Sequence, residues 1–148
     1  MNRVSAVAAC ALLAWAGSIG TSLAADPAAA ATPPAPRISQ ADLLARLDRK
    51  DPSLVVLDVR TAGEFAAGHV PGARNVSHDQ LETKLAELES LRDKDVVLYC
   101  RSGRRTLLAE EVLRKAGFAK LLHLDGDYLA WEARQRPVER EAAPAPAQ

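Results

Sequence analysis

Apolar positions along this chain follow two rhythms. Leu54-Val55-Val56-Leu57 and Val96-Val97-Leu98-Tyr99 are unbroken apolar runs, the pattern of strands buried on both faces in a parallel sheet. Leu121-Leu122-His123-Leu124 is a third run of this kind. Between the runs, apolar residues recur every three or four positions, the mark of helices with one buried face. Leu43, Leu44 and Leu47 form the first such face, with Ser39 placed to cap, Asp42 as the acid of a capping box and Ile38 as a staple onto Leu43. Asp51-Pro52 ends that helix. Thr61 to Ala67 reads as a short helix closed by Gly68, and Arg74 to Val76 as a short strand after the Pro71-Gly72 turn. Leu81, Leu85 and Leu88 make Asp79 to Leu91 the clearest helix of all. Thr106 to Ala116 is the next, with Leu108 and Val112 inward and Gly117 as its stop. Tyr128 to Arg134 is the last, pinned by Trp131. Strands alternating with helices predict an α/β domain with a mainly parallel central sheet and helices on both faces. In such sheets ligands bind beyond the carboxyl ends of the strands, where Asp58 and Cys100 both fall.

The ends of the chain carry other patterns. Arg3 is the only early charge, and Val4 to Ala25 holds none. An apolar stretch follows it, and Ser22-Leu23-Ala24 offers small residues where a signal peptidase cuts, so residues 1–24 read as a secretory signal peptide. Residues 25–37 are Ala/Pro-rich and read as a linker, residues 38–140 as the folded domain and residues 141–148 as a disordered tail. The expected location is therefore periplasmic or secreted, with no membrane association once the signal is cleaved.

Composition narrows the function. Lys+Arg and Asp+Glu both number 19 among 148 residues, so no global field attracts nucleic acid or an anionic membrane. Aromatic residues are only 4%, too few for base-stacking platforms. The chain has 2 cysteines. Cys10 lies in the signal region, so the mature chain carries Cys100 alone, without a disulfide partner, in an oxidising compartment. Such a cysteine is either inert and buried or a reactive thiol. His78 and His123 have no companions at metal spacing and are expected to be structural or at the surface.

Cys100 heads the segment Cys100-Arg101-Ser102-Gly103-Arg104-Arg105-Thr106. A free thiol has a pKa of about 8.5, which cations and a helix N-terminus lower. Arg101, Arg104 and Arg105 supply charge, and a helix starting near Thr106 supplies oriented N–H groups. Gly103 allows the curvature that turns successive N–H groups into one bowl. This arrangement predicts an anion cradle with a thiolate at its floor, suited to a small oxyanion with a centre that sulfur can attack.

These residues resemble the rhodanese-like sulfurtransferase family, and with one domain behind a signal peptide the chain resembles a periplasmic single-domain rhodanese. Asp58 to Val76 is similar to the family's opening motif, Tyr99 to Thr106 to its active-site loop, and Leu124 to Val138 to its closing motif. The resemblance implies a thiosulfate sulfurtransferase in which Cys100 takes a sulfane sulfur as a persulfide and hands it on. The donor would be a small anion such as thiosulfate, and the acceptor cyanide, a thiol or a protein. It implies no organic cofactor and no metal. It implies that the N–H groups of Arg101 to Arg105 hold the persulfide, that Arg105 closes the loop, and that Arg101 and Arg104 guide the donor. Asp58, Arg60 and Glu64 match the first motif and would brace the loop, while His69 in the matching turn would be a buried hydrogen-bonding residue. The closing motif departs from the family, which commonly has paired glycines where this chain has Gly126-Asp127. Asp127 is expected at the pocket rim, where its carboxylate would repel anionic donors.

Two other readings use the same loop. Cysteine-dependent phosphatases and arsenate reductases space cysteine and arginine with five residues between them, a wider bowl than the four between Cys100 and Arg105. A sulfur-carrier or partner-binding module would keep the cysteine but turn over slowly.

Overall fold

The computed structural model describes residues 33–141. Residues 1–32, which hold the expected signal peptide and most of the expected linker, and residues 142–148 of the expected tail lie outside the described residues. Five strands form one sheet in the order β1-β5-β4-β2-β3, and every neighbouring pair is parallel. They are β1 (Arg37–Ile38), β2 (Leu54–Asp58), β3 (Arg74–Asn75), β4 (Asp95–Tyr99) and β5 (Leu121–Leu124). The helices are α1 (Gln40–Asp48), α2 (Ala62–Ala67), α3 (Leu85–Leu88), α4 (Arg104–Lys115) and α5 (Asp127–Ala133). The expected α/β architecture is thus present, and the three apolar runs are its central strands.

The sheet buries an apolar layer on each face, as continuous apolar strands require. Leu57, Val59, Val96, Leu98 and Leu121 pack with Leu81, Leu88 and Leu91 and with Ala109 and Leu113 of α4. On the other face Val56, Val97, Tyr99 and Leu124 pack with Leu43 of α1 and with Tyr128 and Trp131 of α5. Trp131 is fully buried, and its indole N–H donates to the Pro137 carbonyl at 2.8 Å, so it pins α5 as expected. Ser39 caps α1 through Asp42 N–H at 3.0 Å, and Thr61 with Glu64 forms a capping box on α2.

Three expectations are corrected. Residues 79–84 form successive turns, and only Leu85–Leu88 is α-helical, followed by a 3-10 turn at Glu89–Leu91. The leucine spacing still buries Leu81 and Leu88, but local bonds compete with the helix: the Gln80 carbonyl accepts both the Thr83 N–H and the Thr83 hydroxyl. Helix α4 starts at Arg104 rather than Thr106, and its buried residues are Thr106, Ala109, Glu110 and Leu113. Leu108, expected inward, is half exposed. Finally, the fold begins before residue 38. Arg37 pairs with His123, Pro36 accepts the His123 N–H at 2.8 Å, and Ala35 is buried. Proline lacks a donor but not an acceptor, so a Pro-rich segment can still line a sheet edge.

The β2–β4 pairing sets the site. Asp58 lies opposite Tyr99, and the Val59 N–H continues the ladder to the Tyr99 carbonyl at 3.1 Å. The opening motif and the cysteine therefore leave the sheet side by side. Trp131→Ala should cost about 3–5 kcal/mol of stability, the usual effect of emptying a large core site; urea unfolding followed by circular dichroism measures it.

Candidate active site

Cys100 is the residue between β4 and α4 at which the chain leaves the sheet, and all its polar atoms are engaged. Its N–H donates to Asp127 Oδ1 at 2.9 Å. Its carbonyl accepts the Tyr128 N–H at 3.0 Å. Its Sγ accepts the Gly103 N–H at 3.0 Å. The loop therefore curls back on the sulfur, as the Gly103 reading expected. Gly103 has φ +97°, and a Cβ there would stand 3.0 Å from Asp127 Oδ2, so conformation and space both call for glycine. No side chain caps α4, which leaves the N–H groups of its first turn available to an anion.

The sulfur is deeper than an open bowl would place it. Cys100 is only 1% exposed and packs into the apolar layer beneath α4. Beside the loop lies a hollow of about 170 Å³, walled by Arg60, Glu64, Arg101, Tyr128 and Glu132 among others. Cys100 does not line it. Arg101, Ser102 and Arg104 are exposed, and the two arginines make no ion pair among the described residues.

Arg105 is tied down. Its guanidinium grips Glu64 with two bonds of 2.7 and 2.8 Å, a bidentate geometry. Glu64 holds Arg105 above its ordinary range, against burial, with a smaller contribution from Cys100. Arg105 in turn draws Glu64 down to about 2, with help from the Thr61 bonds. Through this pair Glu64 of the opening motif holds Arg105 of the Cys100 loop directly.

Asp58 and Arg60 form the second brace. Arg60 Nη2 reaches Asp58 Oδ2 at 2.6 Å and the Gly68 carbonyl at 2.7 Å, and both residues are buried. The guanidinium lies over the Tyr128 ring, 3.9 Å from its centroid, a cation–π contact. Arg60 thus both braces the fold and forms a cationic wall of the hollow. His69 is buried, with Nδ1 2.8 Å from the Phe65 carbonyl and its ring stacked on Phe65, the structural role expected of it. His78 is partly buried, and its Nδ1 has no hydrogen-bond partner.

Asp127 is not at the rim. It is 3% exposed and lies beneath the loop, accepting from Cys100, from Thr106 Oγ1 at 3.2 Å and facing His123 Nε2 at 2.9 Å. It is placed there because the Tyr128 and Leu129 N–H groups bond the Cys100 and Arg101 carbonyls, which draws the start of α5 under the loop. Its carboxylate therefore faces the underside of the loop and does not line the hollow. His123 is likewise no surface residue: it is buried between Asp127 and Glu110. Glu110 escaped the sequence reading because the apolar stripe of α4 was set on Leu108 and Val112. The signal was present, since Glu110 shares the true stripe with Thr106, Ala109 and Leu113.

A cysteine curled into an arginine-bearing loop, at the carboxyl end of a parallel strand and gripped by a preceding acidic motif, matches the known family. Residues 39–134 match the rhodanese-like domain model. The chain belongs to the rhodanese-like domain family. A thiosulfate sulfurtransferase of Pseudoalteromonas translucida is 33% identical over 70% of this chain and 95% of that protein. A sulfurtransferase of Allochromatium vinosum is 34% identical over 57% of this chain and 78% of its own. This rhodanese-like chain spans about half, 47%, of an HTH-type transcriptional regulator of Mycobacterium tuberculosis to which it is 39% identical over 75% of its own length. Among solved structures, a rhodanese-related protein of Thermoplasma volcanium superposes with a TM-score of 0.62 at 29% identity, covering 72% of this chain and 99% of that one. The human single-domain sulfurtransferase gives 0.59 at 29% identity, covering 68% and 97%.

The Arg105–Glu64 tie has an acid limit. A carboxylate lowered from 4.5 to about 2 contributes its full stability above its ordinary value and loses it as pH falls through the lowered one. Protection of the Gly103 amide against exchange, relative to its intrinsic rate, should therefore hold at pH 4 and fall towards pH 2. In Glu64→Gln it should already be lost at pH 4. Equal exchange in the two proteins at pH 4 would show that the pair does not hold the loop.

Proposed function

We propose that this rhodanese-like domain transfers sulfane sulfur from thiosulfate, or a related small anionic donor, through a persulfide on Cys100. The observation that carries the reading is the Gly103 N–H directed at Cys100 Sγ at 3.0 Å, in a loop that opens an uncapped helix. An N–H aimed at Sγ is a preorganised donor to the sulfur that attacks and later leaves, and the uncapped first turn of α4 offers further N–H groups to a bound anion.

In the first half-reaction the Cys100 thiolate attacks the outer sulfur of thiosulfate. A new S–S bond forms, the old one breaks, and its electron pair leaves with sulfite. In the second, cyanide or a thiolate attacks the outer persulfide sulfur, and the Cys100 thiolate is restored. The cycle is ping-pong and balanced in electrons, with no outside oxidant. Arg101, Arg104 and the Arg60 wall draw in the dianion, while Arg105, spoken for by Glu64, shapes the loop. Because Cys100 sits below the hollow, entry of the donor requires the loop to yield beside Arg101. A protein acceptor and a periplasmic or secreted location, after removal of residues 1–24, complete the proposal. Relatives named as sulfurtransferases support it.

Intact-mass analysis tests the reading. Wild-type protein incubated with thiosulfate should gain one sulfur and surrender it to cyanide, while Cys100→Ser should gain none and keep its fold. A wild-type protein that never gains sulfur, yet hydrolyses an aryl phosphate, would replace this reading with a phosphatase. Full loading with negligible steady-state thiocyanate production would replace turnover with a carrier role.

A further inference from the structure

Beneath the loop runs a buried chain of polar groups that joins α4, β5 and α5 to the segment before β1 and to the Cys100 loop. The Ala35 N–H donates to Glu110 Oε2 at 2.8 Å. Glu110 Oε1 faces His123 Nδ1 at 3.0 Å. His123 Nε2 faces Asp127 Oδ2 at 2.9 Å. Asp127 Oδ1 accepts the Cys100 N–H and the Thr106 hydroxyl. Glu110, His123, Thr106 and Asp127 are each no more than 3% exposed.

Counting donors decides what this chain contains. A neutral imidazole has one N–H and one lone pair. Both ring nitrogens here face carboxylate oxygens at hydrogen-bond distance, so a neutral ring between two carboxylates would leave two lone pairs opposed in a dry interior. The trio must therefore hold one further proton, on a carboxyl or on the ring, and the two carboxylates that flank the ring favour the ring, as an imidazolium bridging two anions. A second sign of constraint lies at its end. Asp127 is a non-glycine residue at φ +52°, a conformation that costs energy and persists only where the surroundings impose it.

We propose that Glu110, His123 and Asp127 are positioning residues for Cys100, a proton-bearing bridge that fixes the backbone of the nucleophile from below. The inference rests on the reading of Cys100 as the nucleophile. Asp127 holds the Cys100 N–H and, through Thr106, the first turn of α4, so it sets the two ends of the loop that curls around the sulfur. His123 keeps Asp127 aimed at them, and Glu110 anchors His123 to α4 and to the sheet edge at Ala35.

The charges around the imidazole agree. Burial alone would lower His123, but the hydrogen bond and charge of Asp127 and the charge of Glu110 outweigh it and raise it above its ordinary 6.5. Arg37, beside it on β1, opposes them while pairing with exposed Asp125 at 3.6 Å, and Arg114 stands 3.9 Å from Glu110. A group raised in the folded state contributes its stability below its ordinary value and loses it as pH rises through the raised one. His123 thus keeps its proton to a higher pH than a free imidazole, and the bridge weakens as pH rises through the raised value.

The test uses the full chain with ¹⁵N-labelled histidine and backbone. At pH 7 both His123 ring nitrogens should give imidazolium signals, and the Cys100 amide signal should shift as His123 loses its proton on raising the pH. In Asp127→Asn the amide can donate to Nε2, and asparagine tolerates a positive φ, so the fold should survive with His123 neutral at pH 7. Asp127→Ala removes the acceptor of a buried N–H and should lower kcat and the rate of Cys100 alkylation by iodoacetamide about tenfold, with KM changed by less than about twofold. A neutral His123 in the wild type overturns the proposal. So does an Asp127→Ala protein with reduced melting temperature but unaltered kcat and alkylation rate, because that is the signature of packing alone. The ring signals and the alkylation rate do not depend on sulfur transfer, so a failed sulfurtransferase reading would be visible separately, as absence of persulfide in the wild type.

Discussion

Between the last residue of β4 and the first of α4 the chain has four residues in which to reverse around one sulfur atom. That turn is the constraint on which the site depends. It requires a left-handed residue at Gly103, and it brings the Gly103 N–H onto Cys100 Sγ. It leaves the loop carbonyls of Cys100 and Arg101 pointing away, towards α5, whose first N–H groups take them. A loop this short cannot satisfy its own polar groups, and a buried N–H or carbonyl without a partner is costly. The neighbouring elements are therefore obliged to supply partners, and each of them does so with a different residue.

Two of these ties reach the loop from opposite sides. Glu64, from the capping box of α2, holds Arg105 by a bidentate pair, so a residue that ends one turn of helix also braces another helix's start. Asp127 holds Cys100 and Thr106 from beneath. Buried charged pairs contribute little net stability compared with apolar packing, but breaking one leaves an unpaired charge. Their use here is better understood as geometry: both carboxylates meet groups of the loop in its curled form. Arg60 follows the same logic on the hollow's wall, where Asp58, Gly68 and the Tyr128 ring fix one guanidinium from three directions.

Much of this was open to a reading of residues. The apolar runs marked the central strands because burial on both faces leaves no room for alternation. Ser39 and Thr61 marked helix starts because a free N–H needs a nearby oxygen. The Cys100 loop was legible because its arginines and glycine are adjacent in sequence, so its chemistry is local. Leu81, Leu85 and Leu88 were correctly read as one core-facing stripe, with Leu85 only partly buried, but wrongly as one long helix, since the same spacing serves a chain of turns when a Thr83 hydroxyl claims a helix carbonyl.

What the sequence by itself determined was therefore the fold class, the strand cores and the Cys100 loop with its glycine turn, all of which follow from periodicity or from neighbours along the chain. What only the tertiary structure decided was the set of partners: that Arg37 closes the sheet edge, that Cys100 sits below its hollow rather than in it, and that Glu110, His123 and Asp127 meet in the dark beneath the loop. Those three residues lie on α4, β5 and α5, and each has an ordinary bland reading alone. A charge becomes informative when it is buried against another, and which charges are buried together is a property of packing, not of spacing.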